Sequence, residues 1–302
     1  MDLRVFSNYE GTEWLRFLVH TSLKDRVTNM NIGIFDSGIG GLTLLHQAMV
    51  LLPQENYIFY ADTDHVPYGT KSKEQVVSYV DEVIRFMMAH QCKAVVIACN
   101  TATAVAAEVM RRTYEIPIIG IEPAVKPAVE ESDGKRVMVV ATPLTVREEK
   151  LHNLVARVDD EHLVDLLALP RLVEFAERGE FVSDEVTAYL KGQFAAYDLE
   201  LYGELVLGCT HFNYFKDTFR RLMPDQVHII DGSFGAVRQL ARVLDARGQL
   251  AAPIAEDIER LAWNKNDTSV RYFTSGREMT DDDQLKKIQA LHERLERMRK
   301  IF

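Results

Sequence analysis

Two stretches of the chain place a thiol where it could react. Ala94-Val95-Val96-Ile97-Ala98-Cys99-Asn100-Thr101 reads as a buried strand that ends on a cysteine followed by two polar residues. Glu204-Leu205-Val206-Leu207-Gly208-Cys209-Thr210-His211 repeats that arrangement far downstream. A free thiol titrates near ~8.5, and a helix N-terminus or a cationic neighbour brings the thiolate into reach at neutral pH. Two opposed cysteines, one ionised and one protonated, could take a proton from one face of a carbon and return one to the other. That is the requirement for racemisation. The plainer reading, an inert buried hydrophobe, suits Cys92, which lies between a helix end and a strand. It suits the two strand-end cysteines poorly, because Thr, Asn or His stands beside each.

Asp36 and His211 are candidates to steer the thiols' protons, although Asp36 could also form a turn before glycines and His211 could cap a helix or fill a core. The turn Gly38-Ile39-Gly40-Gly41 frees its backbone N–H groups but lacks the dinucleotide GxGxxG spacing and the P-loop Lys-Ser/Thr. A backbone N–H near Tyr68-Gly69 could hold a carboxylate.

These residues need elements to position them. Asn31–Phe35 is a strand before the glycine turn, followed by a helix from about Leu42 to Leu52 that stops at Pro53. Asn56–Ala61 is a second strand, ending on Asp62-Thr63. Ser72 with Gln75 forms a capping box, and Val76, Val77, Val80, Val83, Ile84, Met87 and Met88 give the next helix its buried face. The Cys99 strand follows, then a helix from about Thr103 to Arg112 and a strand over Ile116–Gly120. At Glu122-Pro123 the pattern restarts: a strand over Arg136–Ala141 ending on Thr142-Pro143-Leu144-Thr145, a helix following to about Val158, helical segments around Pro170–Gly179 and Asp184–Tyr197, and the Cys209 strand. The interval from Asp36 to Cys99 nearly equals that from Thr142 to Cys209, as two related lobes would give. His228–Gly232, a helix over Ala236–Asp245, a strand over Ser269–Thr274 and a final helix from Asp282 complete the chain.

Strands alternating with helices predict parallel sheets covered on both faces. The expected fold is α/β with two similar lobes, each a mostly parallel sheet flanked by helices, and the site in the cleft between them. In such sheets ligands sit beyond the C-terminal strand ends, where Asp36, Ser37, Asp62, Cys99, Asn100, Thr142, Cys209, Thr210 and His211 all lie. The expected division is 1–30 as an N-terminal extension, 31–122 with 232–302 as a discontinuous first lobe, and 123–231 as the second. Leu285, Ile288, Leu291, Leu295, Met298 and Phe302 form an apolar stripe on the last helix. Two readings fit it: packing on the first lobe, or the seam of a homodimer.

Composition bounds the function. The 302 residues are 47% hydrophobic and 26% charged, with a formal charge of −10. That sign argues against a sequence-independent nucleic-acid binder. No apolar run is long enough to span a bilayer, and residues 1–30 are too charged for a secretory signal, so no membrane association and a cytoplasmic location are expected. Three cysteines without CxxC or zinc spacing fit free thiols in a reducing compartment and call for no metal.

The motifs carry a resemblance. Gly33-Ile34-Phe35-Asp36-Ser37-Gly38-Ile39-Gly40-Gly41-Leu42-Thr43, Ala61-Asp62-Thr63 with Val66-Pro67-Tyr68-Gly69, Ala98-Cys99-Asn100-Thr101-Ala102-Thr103-Ala104 and Leu207-Gly208-Cys209-Thr210-His211-Phe212 resemble, in order, those of the glutamate racemases. Weaker matches are Thr142 with Thr145-Val146, Ile230-Asp231 and Tyr272–Gly276. The resemblance implies a cofactor-independent isomerase, an amino-acid racemase that interconverts L- and D-glutamate and supplies D-glutamate for peptidoglycan, and hence for cell-wall biogenesis and cell shape. It implies that Cys99 removes the α-proton from D-glutamate and Cys209 removes it from L-glutamate, assisted by Asp36 and His211. Asp36, Ser37, Tyr68, Gly69, Asn100, Thr101, Thr210 and His211 match substrate-holding positions, and Asp62 and Glu177 match acidic positions near the site. The sequence departs from the family at Leu169-Pro170, where a Cys-Pro pair is common, and around Arg171–Phe181. Alternative readings are a racemase of aspartate or another small acidic amino acid, and a catalytically silent small-acid-binding protein.

Overall fold

The computed structural model describes residues 30–254, 261, 263–264 and 268–302. The expected extension 1–30 therefore lies, except for Met30, outside the described residues. Among the described residues the strands are β1 (Asn31–Asp36), β2 (Asn56–Ala61), β3 (Cys92–Ile97), β4 (Ile118–Gly120), β5 (Arg136–Ala141), β6 (Val164–Ala168), β7 (Tyr202–Gly208), β8 (His228–Asp231), β9 (Val270–Thr274) and β10 (Arg277–Glu278). They form two sheets, one ordered β10-β9-β2-β1-β3-β4 and the other β6-β5-β7-β8. All pairings are parallel except β10 with β9.

The two sheets share one wiring plan. In each, the first strand lies between the second and the third, with the fourth outside the third. The chain therefore leaves β1 and β5 in one direction for the next strand and then crosses back over to the other side. The C-terminal ends of β1 and β3, and of β5 and β7, are the switch points where such sheets leave a crevice. Asp36 ends β1, and Cys99 and Cys209 lie just beyond β3 and β7. β3 and β7 are buried along their whole length, as strands covered on both faces must be.

Helix boundaries follow local chemistry. Ser72 accepts from the Gln75 N–H at 3.3 Å while Gln75 Oε1 accepts from the Ser72 N–H at 3.0 Å, completing the expected capping box. The helix expected from about Thr103 begins earlier, over Asn100–Thr113, because Cys99 itself serves as its N-cap. The helix expected after Thr142-Pro143-Leu144-Thr145 and running to about Val158 starts inside that stretch and is broken into Pro143–Arg147 and Glu149–Val158, with Glu148 extended between them. The periodicity missed β6, whose five residues are all half-buried, and the turn Thr210–Phe215, a 3-10 segment that leads into the helix Lys216–Leu222.

The lobes meet over a continuous core. One apolar cluster runs from Leu42, Leu45 and Phe59 on the first sheet's side to Leu172, Phe212, Phe215 and Phe219 on the second. Polar bonds cross at the same place. The Tyr214 hydroxyl donates to the Ile39 carbonyl at 3.0 Å, and the Arg294 guanidinium reaches the Tyr214 carbonyl and Asp217. Within the stripe on the last helix, Asp282–Met298, Ile288, Leu295 and Met298 are buried and Leu291 packs against the core. Leu285 and Phe302 remain exposed.

Candidate active site

Three turns build the site. The first follows β1, where Asp36 and Ser37 precede the glycines. The second follows β3, where Cys99 caps the helix Asn100–Thr113 and its sulfur accepts from the Ala102 N–H at 3.4 Å. The third follows β7, where Cys209, Thr210 and His211 open the 3-10 turn. All six of these side chains are buried, and both sulfurs belong to residues that are 6% exposed.

The first and third turns interlock across the lobes. Thr210 Oγ1–H donates to Asp36 Oδ2 at 2.7 Å, and Thr43 Oγ1–H donates to the Thr210 carbonyl at 3.0 Å. The Ile39 N–H donates to Glu177 Oε1 at 2.9 Å, and the Gly40 N–H points at His211 Nε2 at 3.3 Å. The glycines are there for close approach. A Cβ at residue 38 would stand 1.9 Å from Glu177 Oε1, and one at residue 40 would stand 2.3 Å from His211 Nδ1.

Each thiol has its own proton circuit. Cys209 Sγ lies 3.8 Å from His211 Nδ1, and His211 Nε2 lies 2.7 Å from Glu177 Oε1. Burial pushes the His211 imidazole down, but the hydrogen bonds to Cys209 and Glu177 outweigh it and hold the ring well above the usual histidine range. Cys99 Sγ lies 3.9 Å from Ser37 Oγ, which in turn donates to Asp36 Oδ1 at 3.1 Å. Burial, the Asp36 charge and the nearby Cys209 push the Cys99 thiol up, against the Ala102 N–H and Ser37. Burial likewise raises the Asp36 carboxyl, although His211, Thr210 and Ser37 oppose it. Cys92 has no such circuit: its thiol faces the Met87 sulfur, and burial alone pushes it up to about 12.

The remaining expected residues surround the thiols. Tyr68 is buried with its hydroxyl donating to Asp62 Oδ2 at 2.6 Å, and burial together with the Asp62 charge raises it strongly. Asp62 also takes His65 Nδ1 at 2.9 Å and Ser275 Oγ at 3.2 Å. Its carboxylate is thereby committed to holding the Tyr68 loop. At Gly69 a Cβ would sit 2.9 Å from the Thr142 Cβ, so this loop also presses on the opposite lobe. Thr101 Oγ1 lies 2.9 Å from Thr142 Oγ1 and 3.1 Å from Thr145 Oγ1, three hydroxyls within bonding reach of one another.

Asn100 stands out. It is buried, yet neither Nδ2 nor Oδ1 has a hydrogen-bond partner. Leaving buried polar groups unpaired costs about 1–3 kcal/mol, which a bound polar ligand would recover. A small cleft of ≈ 30 Å³ lies beside it, lined also by Thr103, Thr145, Ile121, Glu122 and Lys150.

The structure thus joins Asp36, Ser37, Thr210, His211 and Glu177 to the two thiols through hydrogen-bond contacts, with Glu177 directly on His211. Asp62, Tyr68, Gly69 and Thr101 lie in the adjoining turns with contacts of their own, and Asn100 follows Cys99 with its side chain unpaired. From the sequence, Thr142 stands at a strand end and is a weak family match together with Thr145, but neither has a role there. Thr43 was legible as the last residue of the motif around the glycine turn, and neither it nor His65 is singled out as a site residue. Their contacts cross between lobes or within loops, which periodicity does not register.

Comparisons with known proteins agree with this geometry. The Asp/Glu/Hydantoin racemase family matches residues 43–240. The glutamate racemase of Lachnospira eligens is 52% identical over 274 residues, which cover 90% of this chain and all of that protein. Glutamate racemase 2 of Bacillus subtilis is 49% identical over 88% of this chain and 97% of its own length. The crystal structure of the Francisella tularensis glutamate racemase in complex with D-glutamate superposes with a TM-score of 0.70 at 26% identity, covering 89% of this chain and 94% of that one. With two thiols at equivalent switch points of paired α/β sheets and identities of this extent, the chain belongs to the Asp/Glu/hydantoin racemase family, among the glutamate racemases.

Proposed function

We propose that this protein is a cofactor-independent glutamate racemase that interconverts L- and D-glutamate by proton transfer at Cα. The observation that carries this reading is the pair of buried thiols, each with a separate acid–base partner: Asp36 through Ser37 for Cys99, and His211 with Glu177 for Cys209. A one-base enzyme would need only one such circuit. The relatives named as glutamate racemases, and the neighbour with D-glutamate bound, support glutamate as the substrate.

In this mechanism a thiolate removes the α-proton, and the opposite thiol delivers a proton to the other face of the carbanion. Cys209 acts on L-glutamate and Cys99 on D-glutamate. Asn100 has the unpaired donor and acceptor to take substrate polar groups. Ser37, Tyr68, Gly69, Thr101 and Thr210 complete the shell for the two carboxylates and the ammonium, with Thr142 and Thr145 buttressing Thr101. The α-proton of an amino acid is very weakly acidic, so positioned proton transfer, worth about 10²–10⁴ in rate, is not enough alone. Exclusion of water from a site as buried as this one strengthens every dipole aimed at the developing charge.

The lobe division 31–122 with 232–302, and 123–231, is supported by sheet membership: β9 and β10 return to the sheet of β1–β4, while β5–β8 form the other. Production of D-glutamate for peptidoglycan, in the cytoplasm, is the role we assign. Among the described residues no helix is long and apolar enough to cross a membrane. The test is chiral chromatography of L-glutamate and L-aspartate incubated separately with the protein. The reading expects D-glutamate and little D-aspartate; formation of D-aspartate alone would replace the substrate, and formation of neither would remove the activity.

A further inference from the structure

We infer that the resting enzyme, before substrate binds, keeps its single active-site thiolate on Cys209, paired with a protonated His211, while Cys99 holds its proton. The inference deepens the racemase reading and rests on it only for its consequence in turnover.

Counting protons in the two circuits leads there. Ser37 has one hydroxyl proton, and Asp36 Oδ1 takes it at 3.1 Å. Thr210 gives its own to Asp36 Oδ2 at 2.7 Å. Ser37 Oγ can then only accept from Cys99, so the contact at 3.9 Å is a thiol S–H donating to a hydroxyl. A thiolate at Cys99 would face a hydroxyl lone pair with the Asp36 carboxylate behind it. One feature opposes this order: the Ala102 N–H at the start of the helix Asn100–Thr113 reaches Cys99 Sγ at 3.4 Å. That neutral donor is weaker than the nearby charge, since both sulfur and carboxylate are out of water.

The second circuit is wired the other way. Glu177 Oε1 receives the Ile39 N–H at 2.9 Å and lies 2.7 Å from His211 Nε2, too close for two lone pairs to face each other. Nε2 therefore carries a proton toward the carboxylate, and the longer Gly40 N–H contact to the same nitrogen, at 3.3 Å, gives way to it. The remaining ring nitrogen, Nδ1, faces Cys209 Sγ at 3.8 Å. The thiol proton moves from sulfur to Nδ1, leaving a thiolate beside an imidazolium whose far side rests on a carboxylate. No bond to carbon is involved, and the charge of the pair is unchanged. Glu177 is the positioning residue: it sets the tautomer and supports the ring's charge. The charged and titratable groups facing the two sulfurs are Asp36, Tyr68 and Cys209 around Cys99, and His211, with Glu177 behind it, and Cys99 around Cys209. In turnover, the resting form is then the one ready for L-glutamate, and D-glutamate requires the proton to change thiols first.

Two measurements on the ligand-free full chain test this. The first is brief iodoacetamide treatment of the wild-type protein at neutral pH, followed by peptide mass mapping. Carboxamidomethylation is expected at Cys209 at least about tenfold faster than at Cys99, with Cys92 slower still. The second is the ultraviolet thiolate band against pH. The band at neutral pH is expected to persist in Cys99→Ser, to vanish in Cys209→Ser, and to titrate at higher pH in Glu177→Gln. First labelling at Cys99, or a neutral-pH band that survives Cys209→Ser and is lost in Cys99→Ser, overturns the assignment. Neither readout needs racemisation, so a failure of the glutamate activity shows separately, as no D-glutamate from L-glutamate.

Discussion

At the scale of single residues, the site works by giving two chemically identical groups different surroundings. Cys99 sees a hydroxyl and a buried carboxylate, whereas Cys209 sees an imidazole held by Glu177. Replacing either thiol by the far less acidic Ser hydroxyl, in Cys99→Ser or Cys209→Ser, is expected to lower kcat for glutamate racemisation by at least about 10³-fold, beyond the usual contribution of a single proton-transfer group. Circular dichroism should stay unchanged, because the swap removes little volume. Turnover within tenfold of wild type in either variant would mean that one thiol suffices. Much of this was legible beforehand, since strand ends, small polar neighbours and the spacing of motifs located both cysteines, Asp36 and His211. Glu177 was reached only through the family resemblance. It lies in a helix with no motif of its own, and only the fold brings it to 2.7 Å from a histidine far along the chain.

At the scale of elements, the glycine turn after β1 and the 3-10 turn after β7 act as one unit. Thr43, at the start of the helix Leu42–Leu51, holds the Thr210 carbonyl, and the glycines let Glu177 and His211 come within contact. In Gly40→Ala the new methyl would meet the His211 ring at 2.3 Å, so the ring must turn from Cys209. A loss of about 10²-fold in kcat is expected from the displaced proton relay, with a far smaller change in Tm. In Thr43→Val, steady-state kinetics and thermal melts should show a loss of about 1 kcal/mol of stability for one buried hydrogen bond. Sequence patterning gave these helices and strands their order, but the helix start at Asn100 and the break at Glu148 escaped it. Both depend on caps: Cys99 is not a usual capping residue, and Thr142 caps a five-residue helix through its hydrogen bond from the Thr145 N–H.

At the scale of the whole molecule, the last helix ties the C-terminus to the turn that carries the chemistry. Arg294 makes that tie through the Tyr214 carbonyl. A buried relay joins the same helix to the helix Leu42–Leu51 behind the glycine turn: the Tyr272 hydroxyl reaches His292 Nε2 at 3.3 Å, His292 Nδ1 meets His46 Nδ1 at 3.2 Å, and His46 Nε2 meets Glu296 at 2.9 Å. Burial and the neighbouring His46 push His292 down to about 3, and burial also lowers His46 despite Glu296. A histidine held neutral in the fold gives stability that is complete above the unfolded value, near ~6.5, and is lost as pH falls toward the folded one. Glu296, brought down to about 2 against its burial by His46 and Arg299, adds stability that fades below the ordinary carboxylate range. Thermal melts should therefore show Tm falling steadily from about pH 6.5 toward 4, with a flatter slope in His292→Phe; an unchanged slope would dissociate the relay from acid sensitivity. This relay was invisible in the sequence, because it joins residues from opposite ends of a lobe whose chain is interrupted by the other. The two-lobe plan itself was visible, in the near-equal spacing of polar strand ends and cysteines, and it is what sets two thiols against each other. The claim that they flank one carbon from opposite faces is tested most directly by starting from protiated L-glutamate in deuterated water and following Cα by mass spectrometry and chiral separation at early times. The two-thiol mechanism predicts that the D-glutamate formed carries deuterium at Cα while the remaining L-glutamate stays protiated; early D-glutamate that retains the original proton, or equal labelling of both isomers from the outset, would contradict it.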